Sequence, residues 1–306
     1  MRKLAPIAYF AYNRPGHTLQ TLEALSKNRL ADSTDLWIYI DGPKAGASEQ
    51  DLANIEAVKK IAQQKQWCGS VTIVAAEKNN GLFKSITEGI SSIINQYGKV
   101  IVVEDDILAS PGFLNYMNDA LDFYENTPEV MHIAGFSMPQ FNHLGIKEST
   151  YFYNHTSCWG WATWKRAWDF LDTDGLGLMK RVKQEKKNIY QLNMQGTYEF
   201  YWSLKAISEG KFQSWNCYWH TSVFLHNGLC LHPTQSLVSN IGHDGSGTNC
   251  EVSTNFITDT PLADTVIVTK IPLLENKTVK DFDRKRYPRK DKIILFVKHY
   301  LRYLKV

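Results

Sequence analysis

Cysteine is scarce in this sequence and long apolar runs are missing, and each absence excludes a class of protein. The 306-residue chain has five cysteines, an odd number, and no Cys-x-x-Cys pair, so neither a disulfide framework nor a structural zinc site is expected. The short apolar run at the N-terminus is interrupted by Asn13 and Arg14, which favours a buried strand over a signal peptide. No stretch is long and apolar enough to span a bilayer. The sequence therefore predicts a cytoplasmic location.

A net positive charge is missing from most of the chain as well. Residues 277–306 hold 11 Lys/Arg against 3 Asp/Glu, whereas the whole chain holds 34 against 31. The remainder is mildly acidic, unlike a nucleic-acid-binding domain, whose basic residues cover a folded face. No nucleic-acid partner is therefore predicted. A Rossmann dehydrogenase is also disfavoured, because no Gly-x-Gly-x-x-Gly motif follows the first predicted strand.

Strand and helix signals alternate through the first half of the chain, which predicts an α/β fold with a mostly parallel sheet flanked by helices. Apolar runs predict strands at residues 5–12, 36–40, 71–75 and 100–103, and helical spacing predicts helices at 51–66 and 85–97. In the second half, residues 176–210 look helical and residues 212–250 strand-like. We expect one domain over residues 1–275, with a nucleotide-sugar and metal half (1–110) and an acceptor half (111–275), followed by a tail (276–306).

The most informative local feature is the acidic trio Glu104, Asp105 and Asp106, which follows directly on a predicted buried strand. Ligands of parallel sheets sit at the carboxyl ends of the strands, and one or two carboxylates can hold a divalent cation that neutralises a diphosphate. Strand geometry puts Glu104 and Asp106 on one face and Asp105 on the other. The alternative is a solvated acidic turn before a helix.

Five segments, taken in order, resemble GT-A-fold glycosyltransferases. More narrowly, they resemble the medial-Golgi α-mannosyl β-1,2-N-acetylglucosaminyltransferase and its bacterial relatives in surface-polysaccharide assembly. The segments are residues 5–25 with Asn-Arg-Pro, 80–86 with Asn-Gly-Leu, 100–130 with the acidic trio, 157–164 with Cys-Trp-Gly-Trp, and 236–247 with Gly-His-Asp-Gly-Ser-Gly. The resemblance implies a metal-dependent, inverting glycosyltransferase that uses a nucleotide-sugar donor.

On the nucleotide side, the resemblance implies that Asn13 and Arg14 approach the base, ribose or diphosphate. A guanidinium suits that place because it pairs well with phosphate. Asp41 matches a position that reads the uracil or thymine edge, although it is equally suited to the turn before Gly42. Lys84 would face the diphosphate, or else stand exposed at a helix start.

On the metal and acceptor side, the resemblance implies that Asp106 binds Mn²⁺ or Mg²⁺ directly. Asp105 would approach the ribose or sugar, and Glu104 would support the site by hydrogen bonding. The loop containing Trp159, Gly160 and Trp161, together with Trp215, would form the cleft for the sugars. These aromatic side chains are equally compatible with core packing.

The chain departs from the family pattern where an inverting transferase needs a general base. Asn216 stands where many relatives have an aspartate after a tryptophan, and it cannot take a proton. The remaining candidates are Asp244, in a glycine-rich loop, and Glu199, in an aromatic stretch where burial would raise its pKa; His243 is a third. Asn249 stands where close relatives have a histidine before the cysteine.

Two other functions remain open from the sequence. A sugar nucleotidyltransferase would share the nucleotide-binding sheet, but it should carry a glycine-rich basic loop where this chain has residues 13–16. A non-catalytic nucleotide-sugar or glycan-binding protein is suggested by Asn216.

The tail combines a basic cluster at residues 284–292 with an apolar stretch at 293–304, whose apolar positions fall mostly on one side of a helix. That pattern is typical of an interfacial helix on an anionic membrane. It predicts peripheral attachment to the inner face of the cytoplasmic membrane, near lipid-linked O-antigen or capsule acceptors. A helix that packs on the domain or forms a dimer is the alternative.

Overall fold

The computed structural model describes residues 3–211, 213–245, 261–286 and 297, and its centre is an eight-stranded sheet. The strands are β1 (Ile7–Ala11), β2 (Asp35–Ile40), β3 (Ser70–Ala75), β4 (Lys99–Glu104), β5 (Ile107–Ala109), β6 (Val130–Ala134), β7 (Thr150–Tyr153), β8 (Trp161–Trp164), β9 (Leu229–Pro233) and β10 (Val238–Asn240). The α-helices are α1 (Pro15–Ser26), α2 (Glu49–Gln63), α3 (Leu82–Tyr97), α4 (Phe113–Phe123), α5 (Lys165–Trp168), α6 (Gly175–Gln184), α7 (Ile189–Leu192), α8 (Phe200–Ser208), α9 (Trp215–Leu225) and α10 (Lys277–Arg286).

The sheet has the strand order β3-β2-β1-β4-β8-β6-β9-β7, and β5 pairs with β10 in a separate two-stranded ribbon. Strands β1 to β4 are mutually parallel, β6 is parallel to β9, and β8 and β7 run antiparallel to their neighbours. The predicted α/β class, with a mostly parallel sheet flanked by helices, is confirmed. Because β1 and β4 are adjacent and parallel, the residues that follow them meet at one edge of the sheet.

The first half folds as its sequence pattern predicts, because the elements bury strongly periodic apolar residues. Strand β1 is buried at every position, as expected for a strand covered on both faces. Helix α3 buries one stripe of residues: Ile86, Gly89, Ile90, Ile93 and Ile94. Gly89 lies on this stripe, and a Cβ there would stand 2.8 Å from the Phe10 ring. The glycine therefore lets α3 pack closely on β1.

The second half departs from the predicted elements in two places. The helical stretch at 176–210 is broken into α6, α7 and α8, with positive φ at Lys186, Met194 and Gln195. The strand-like stretch contains a helix, α9, nearly all of whose residues are buried. Its sequence lacks a helical apolar stripe because the helix is covered on all sides, so periodicity could not identify it.

The predicted tail divides at residue 286. Helix α10 packs on the domain, with Val279 and Asp283 fully buried, and the Tyr153 hydroxyl donates to Asp283 Oδ2 at 2.6 Å. Residues 276–286 therefore belong to the folded body. Most of the predicted membrane segment, at 287–306, lies outside the described residues, as does Asn249. Within the part of the chain that the structure describes, no helix is long and apolar enough to cross a membrane.

Candidate functional site

An ion-pair cluster lies where β1 and β4 end. Arg14 stands at the residue before α1, and its guanidinium reaches both aspartates that follow β4. It donates to Asp106 Oδ2 at 3.0 Å and forms two hydrogen bonds with the carboxylate of Asp105. Both aspartates are largely buried. The structure thus brings the predicted phosphate-binding arginine and the predicted metal ligand into direct contact.

Negative charge in this cluster exceeds the one guanidinium that balances it. Burial raises the pKa of Asp105 to about 6, although Arg14 opposes the shift. Burial, followed by the charges of Asp106 and Asp105, raises the pKa of Glu104. Burial lowers the pKa of Arg14, but the two aspartates raise it more, so the guanidinium stays charged. Further positive charge would therefore be stabilised here.

The loop after β10 lies against this cluster. The amide of Ile241 donates to the backbone carbonyl of Asp106 at 2.9 Å. A Cβ on Gly242 would stand 2.3 Å from Asp106 Oδ2 and 3.1 Å from the Arg14 guanidinium. Only glycine permits this close approach. The glycine-rich loop predicted to reach the donor therefore contacts the acidic trio.

Two more predicted residues, Asp244 and Trp159, join the same site through this loop. Asp244 Oδ2 lies 3.3 Å from His17 Nε2 on the first turn of α1, and its side chain is 48% exposed. The Trp159 ring packs edge-on against His243, with 5.5 Å between centroids. Gly160 adopts φ +57°, and a Cβ there would stand 3.0 Å from Val238.

Asp41 holds a loop together. Its carboxylate accepts hydrogen bonds from the amides of Gly42, Asn80 and Gly81 and from the Asn79 side chain, at 2.8–2.9 Å. These bonds connect the end of β2 to the start of α3. The carboxylate thus stabilises the turn before Gly42, which was the alternative to base recognition. Four hydrogen-bond donors already surround it.

Asn13 and Lys84 have partners outside the acidic cluster. The Asn13 amide donates to Asp51 Oδ1 at 2.8 Å. The Lys84 ammonium is 52% exposed and lies 3.9 Å from Glu88. Both positions flank the carboxyl edge of the sheet without contacting the ion-pair cluster.

Trp161 and Trp215 lie in the core, contrary to their predicted contact with sugar. Trp161 is fully buried and Trp215 is 4% exposed, and their rings stack at 5.3 Å and 14°. Trp168 and Trp219 complete this aromatic cluster. No indole face of Trp161 or Trp215 is open to a ligand, so the packing alternative holds for these two residues.

Glu199 occupies a partly buried position at the start of α8. Burial raises its pKa to about 7, and its Oε2 has no hydrogen-bond partner within the described residues. The neighbouring Tyr198 ring packs near the His155 ring, with 5.7 Å between centroids. His155 opens the loop that leads to Trp159, so the residue next to Glu199 contacts this loop.

Three buried histidines hold that loop. His132 Nε2 lies 3.2 Å from the Ser157 carbonyl, His232 Nε2 2.9 Å from the His155 carbonyl, and His220 Nδ1 3.2 Å from the Thr156 hydroxyl. Each ring contacts a different one of three successive residues. We call this set the histidine cradle.

The protonation state of the cradle follows from its surroundings. Trp219 donates to His132 Nδ1 at 3.1 Å, so His132 carries its proton on Nε2. Burial lowers the pKa of His220 and of His232 to about 4. The rings are therefore neutral at pH 7. The sequence gave no signal of the cradle, because β6, α9 and β9 each supply one histidine.

Asn216 has a structural contact. Its Oδ1 lies 3.3 Å from the Thr156 hydroxyl, and it stands on the first turn of α9. The residue that replaces the family's base thus connects α9 to the loop held by the cradle.

The residues present suit a divalent cation that is shared with a diphosphate. The carboxylates of the acidic trio are hard oxygen donors, and their negative charge exceeds that of their cationic partner. Within the described ranges, no group of three or more His, Cys, Asp or Glu side chains could hold a metal alone. The trio would supply part of the coordination of such a cation, and water or diphosphate oxygens would supply the rest.

A separate groove lies between α4 and residues 265–268. Its volume is about 610 Å³, and its lining includes Arg29, Asn115 and Phe123. None of the predicted site residues lines it.

Comparison with known proteins gives a likeness of backbone only. No protein-family model and no curated protein matches the chain. A mannosyltransferase from Pyrobaculum calidifontis, in complex with GDP-Man and Mn²⁺, is 11% identical with TM-score 0.40, covering 73% of this chain and 70% of its own. Mouse xyloside xylosyltransferase 1 is 9% identical with TM-score 0.37, over 72% and 81%. A UDP-glucose pyrophosphorylase complexed with UDP-glucose is 11% identical with TM-score 0.33, over 55% and 79%. Likenesses this distant assign no activity.

Proposed function

We propose that this protein is a glycosyltransferase that moves a sugar from a nucleotide-diphosphate sugar to a glycan or lipid-linked acceptor. The observation that carries the proposal is the buried cluster of Arg14, Asp105 and Asp106 under Gly242. It combines a phosphate-binding cation with carboxylates at the sheet edge where α/β proteins bind ligands. Three of the five segments that resemble GT-A-fold enzymes supply these four residues, in the family's order.

The proposed donor site uses the cluster directly. Arg14 would bind the diphosphate, and Asp106 would hold Mn²⁺ or Mg²⁺ with Glu104 in support. The bound cation would stabilise the negative charge of the leaving diphosphate. Asp105 would approach the ribose or sugar while Arg14 keeps it oriented.

The acceptor side requires a base, because an inverting reaction removes the proton of the acceptor hydroxyl. That oxygen forms the new bond to the anomeric carbon as the nucleoside diphosphate leaves with the old bonding pair. We favour Glu199 over Asp244 because of its burial, although Asp244 lies on the loop that contacts the acidic trio. Glu199 is partly buried with a pKa raised to about 7, close to working pH, whereas Asp244 is half exposed and paired with His17. Asp244 stays the alternative base.

The biological setting follows from the resemblance and the tail. We propose transfer of a hexosyl or N-acetylhexosaminyl unit in bacterial O-antigen or capsule assembly, with the chain attached to the inner face of the cytoplasmic membrane. The basic residues of the tail support this proposal, because lipid-linked acceptors lie at that surface and anionic lipids attract Lys and Arg.

Two alternatives make different predictions for one assay. Hydrolysis or transfer from UDP-, GDP- or dTDP-sugars with Mn²⁺ should release the free nucleoside diphosphate if the chain is a glycosyltransferase. A non-catalytic binding protein, which Asn216 leaves open, would bind a donor without cleaving it, so no nucleoside diphosphate would form. A nucleotidyltransferase would instead convert nucleoside triphosphate and sugar phosphate with release of pyrophosphate. If neither nucleoside diphosphate nor pyrophosphate forms with any substrate tested, catalysis is rejected.

A further inference from the structure

Arg14 fills the position that a cation on Asp106 would take. Its guanidinium is 3.0 Å from Asp106 Oδ2, and its side chain is only 19% exposed. The contact is fixed from both sides, because Gly242 lies against the guanidinium and the same carboxylate, and because the Arg14 carbonyl accepts the Thr18 amide in α1. Arg14 is therefore the counter-ion of Asp106 in this structure.

We propose that Arg14 competes with the divalent cation for Asp106, so that cation and nucleoside diphosphate bind cooperatively. This inference rests on the proposed function, in which Asp106 is the metal ligand. Arg14 and a divalent cation repel each other, so each weakens the binding of the other to the Asp106 carboxylate. A diphosphate offers the guanidinium a second anionic partner with suitable paired oxygens. When Arg14 turns to the diphosphate, Asp106 becomes available to the cation.

The proposal reverses the expected effect of removing Arg14. If Arg14 only bound phosphate, its loss would weaken nucleotide binding and leave metal binding unchanged. If it is the internal counter-ion, its loss strengthens metal binding in the absence of nucleotide. The Asp105 contact holds the guanidinium beside Asp106, so a flexible lysine should compete less well than arginine.

The test measures Mn²⁺ affinity by titration calorimetry, with free Mn²⁺ followed by electron paramagnetic resonance, at one fixed pH. Wild type, Arg14→Met, Arg14→Lys and Asp106→Asn are compared without nucleotide and with saturating UDP, GDP or dTDP. Arg181→Met removes an arginine from a surface ion pair with Glu185 and serves as the control. Thermal unfolding checks that each variant is folded.

We expect Arg14→Met to bind Mn²⁺ on the order of tenfold more tightly than wild type without nucleotide, with Arg14→Lys between them. A nucleoside diphosphate should tighten Mn²⁺ binding by wild type roughly 5- to 150-fold and do so less in Arg14→Met. An affinity of wild type for Mn²⁺ that is equal with and without nucleotide would overturn the inference, even if Arg14→Met failed to fold.

If a folded Arg14→Met binds Mn²⁺ no more tightly than wild type while Asp106→Asn loses binding, the competition is rejected and the metal site is retained. Absence of Mn²⁺ binding by every protein, nucleotide present, would reject the inference and the proposed metal site together.

Discussion

At the scale of single residues, Gly242 sets how closely the loop after β10 approaches the acidic cluster. The position of its absent Cβ is 2.3 Å from Asp106 Oδ2, well inside contact distance. The atom it would displace belongs to a short side chain that is also held by Arg14. Any larger residue at 242 must therefore push either the loop or the carboxylate away.

Gly242→Ala should disturb the site more than the fold. We expect nucleotide-sugar binding to weaken by about tenfold, equivalent to roughly 1.4 kcal/mol, and stability to fall by no more than about 1–3 kcal/mol. Calorimetric titration with the best donor, together with urea unfolding, measures both. Gly16→Ala is the matched control, because a Cβ at Gly16 meets nothing within 4 Å. Equal donor affinity in the two variants would contradict the proposed contact.

Glu199 offers a second prediction at this scale, through pH. Its carboxyl must be ionised to accept a proton, and burial raises its pKa to about 7. The turnover rate should therefore rise as pH increases through about 7. Glu199→Gln should lower turnover by a factor on the order of 10² to 10⁴ and abolish that rise, with donor affinity little changed. If Asp244→Asn shows these losses and Glu199→Gln does not, the base is Asp244.

Single residues were predictable where chemistry and position coincide. Arg14 and the acidic trio were selected from the sequence for different reasons: the trio follows a predicted buried strand, whereas the nucleotide role of Arg14 is what the resemblance implies. The sequence could not distinguish the buried Trp161 and Trp215 from Trp159, because a tryptophan that packs in the core and one that binds a ligand have the same local sequence pattern. Only the three-dimensional stack between Trp161 and Trp215 distinguishes them.

At the scale of elements, the histidine cradle makes one loop dependent on three distant segments. Contacts with the rings of His132, His220 and His232 hold the three residues that precede Cys158 and Trp159. The loop carries two short turns of its own and little regular structure, so these contacts replace the backbone ladder of a strand. Its position over the site thus depends on neutral histidines.

The cradle predicts a loss of stability in acid. The pKa of His220 is about 4 in the folded chain and about 6.5 when unfolded. Between these values the unfolded chain binds a proton that the folded chain does not, so stability falls as pH decreases from 6.5 to 4. The contribution of His220 to this loss is about 3 kcal/mol.

Urea unfolding of wild type and His220→Gln at pH 7 and pH 4.5 measures this contribution. Between pH 7 and pH 4.5, wild type should lose about 2–3 kcal/mol more free energy of unfolding than His220→Gln does. His143→Gln, at an exposed position, is the control and should follow wild type. A constant difference between wild type and His220→Gln at both pH values would show that His220 does not titrate in this window.

Elements were predictable from sequence where their apolar residues form a helical stripe or a short continuous run. Helices α2 and α3 and strands β1 to β4 follow the expected positions within a few residues, because α3 has a clear apolar stripe and β1 and β4 are short apolar runs. Helix α9 was mistaken for strand because it is buried all round, which removes the period that identifies a helix. The predicted helical stretch is interrupted at Met194–Gly196 by positive φ at non-glycine residues. No local sequence pattern predicts this conformation.

At the scale of the whole molecule, the C-terminal region divides into helix α10 and residues 287–306, most of which lie outside the described residues. Helix α10 is anchored by the bond from Tyr153 to Asp283 and by the edge-on packing of Phe282 on Phe141. Residues 287–306 carry six Lys/Arg and one Asp, and they supply most of the predicted membrane charge. A truncation for membrane studies must therefore end after Arg286, since an earlier end would remove buried contacts.

Deleting residues 287–306 should abolish binding to anionic vesicles and leave the fold intact. Each basic residue near an anionic surface contributes about 1 kcal/mol, and salt screens that attraction. Co-sedimentation with vesicles of phosphatidylglycerol and phosphatidylcholine, compared with phosphatidylcholine alone, at low and high salt, measures it. Equal sedimentation of the full and shortened chains would exclude the tail as the membrane contact. Binding that is indifferent to lipid charge and salt would exclude the electrostatic mechanism.

Thermal unfolding with a panel of UDP-, GDP- and dTDP-sugars measures whether Asp106 supports metal-dependent binding of a nucleotide-sugar. Ligand bound to the native state raises the unfolding temperature. Wild type should be stabilised by at least one donor with Mn²⁺ and much less with chelator. Asp106→Asn should lose that stabilisation, while Asp169→Asn, at a surface ion pair with Lys165, should keep it. Stabilisation that survives both chelator and Asp106→Asn, or no response of wild type to any donor, would contradict the account.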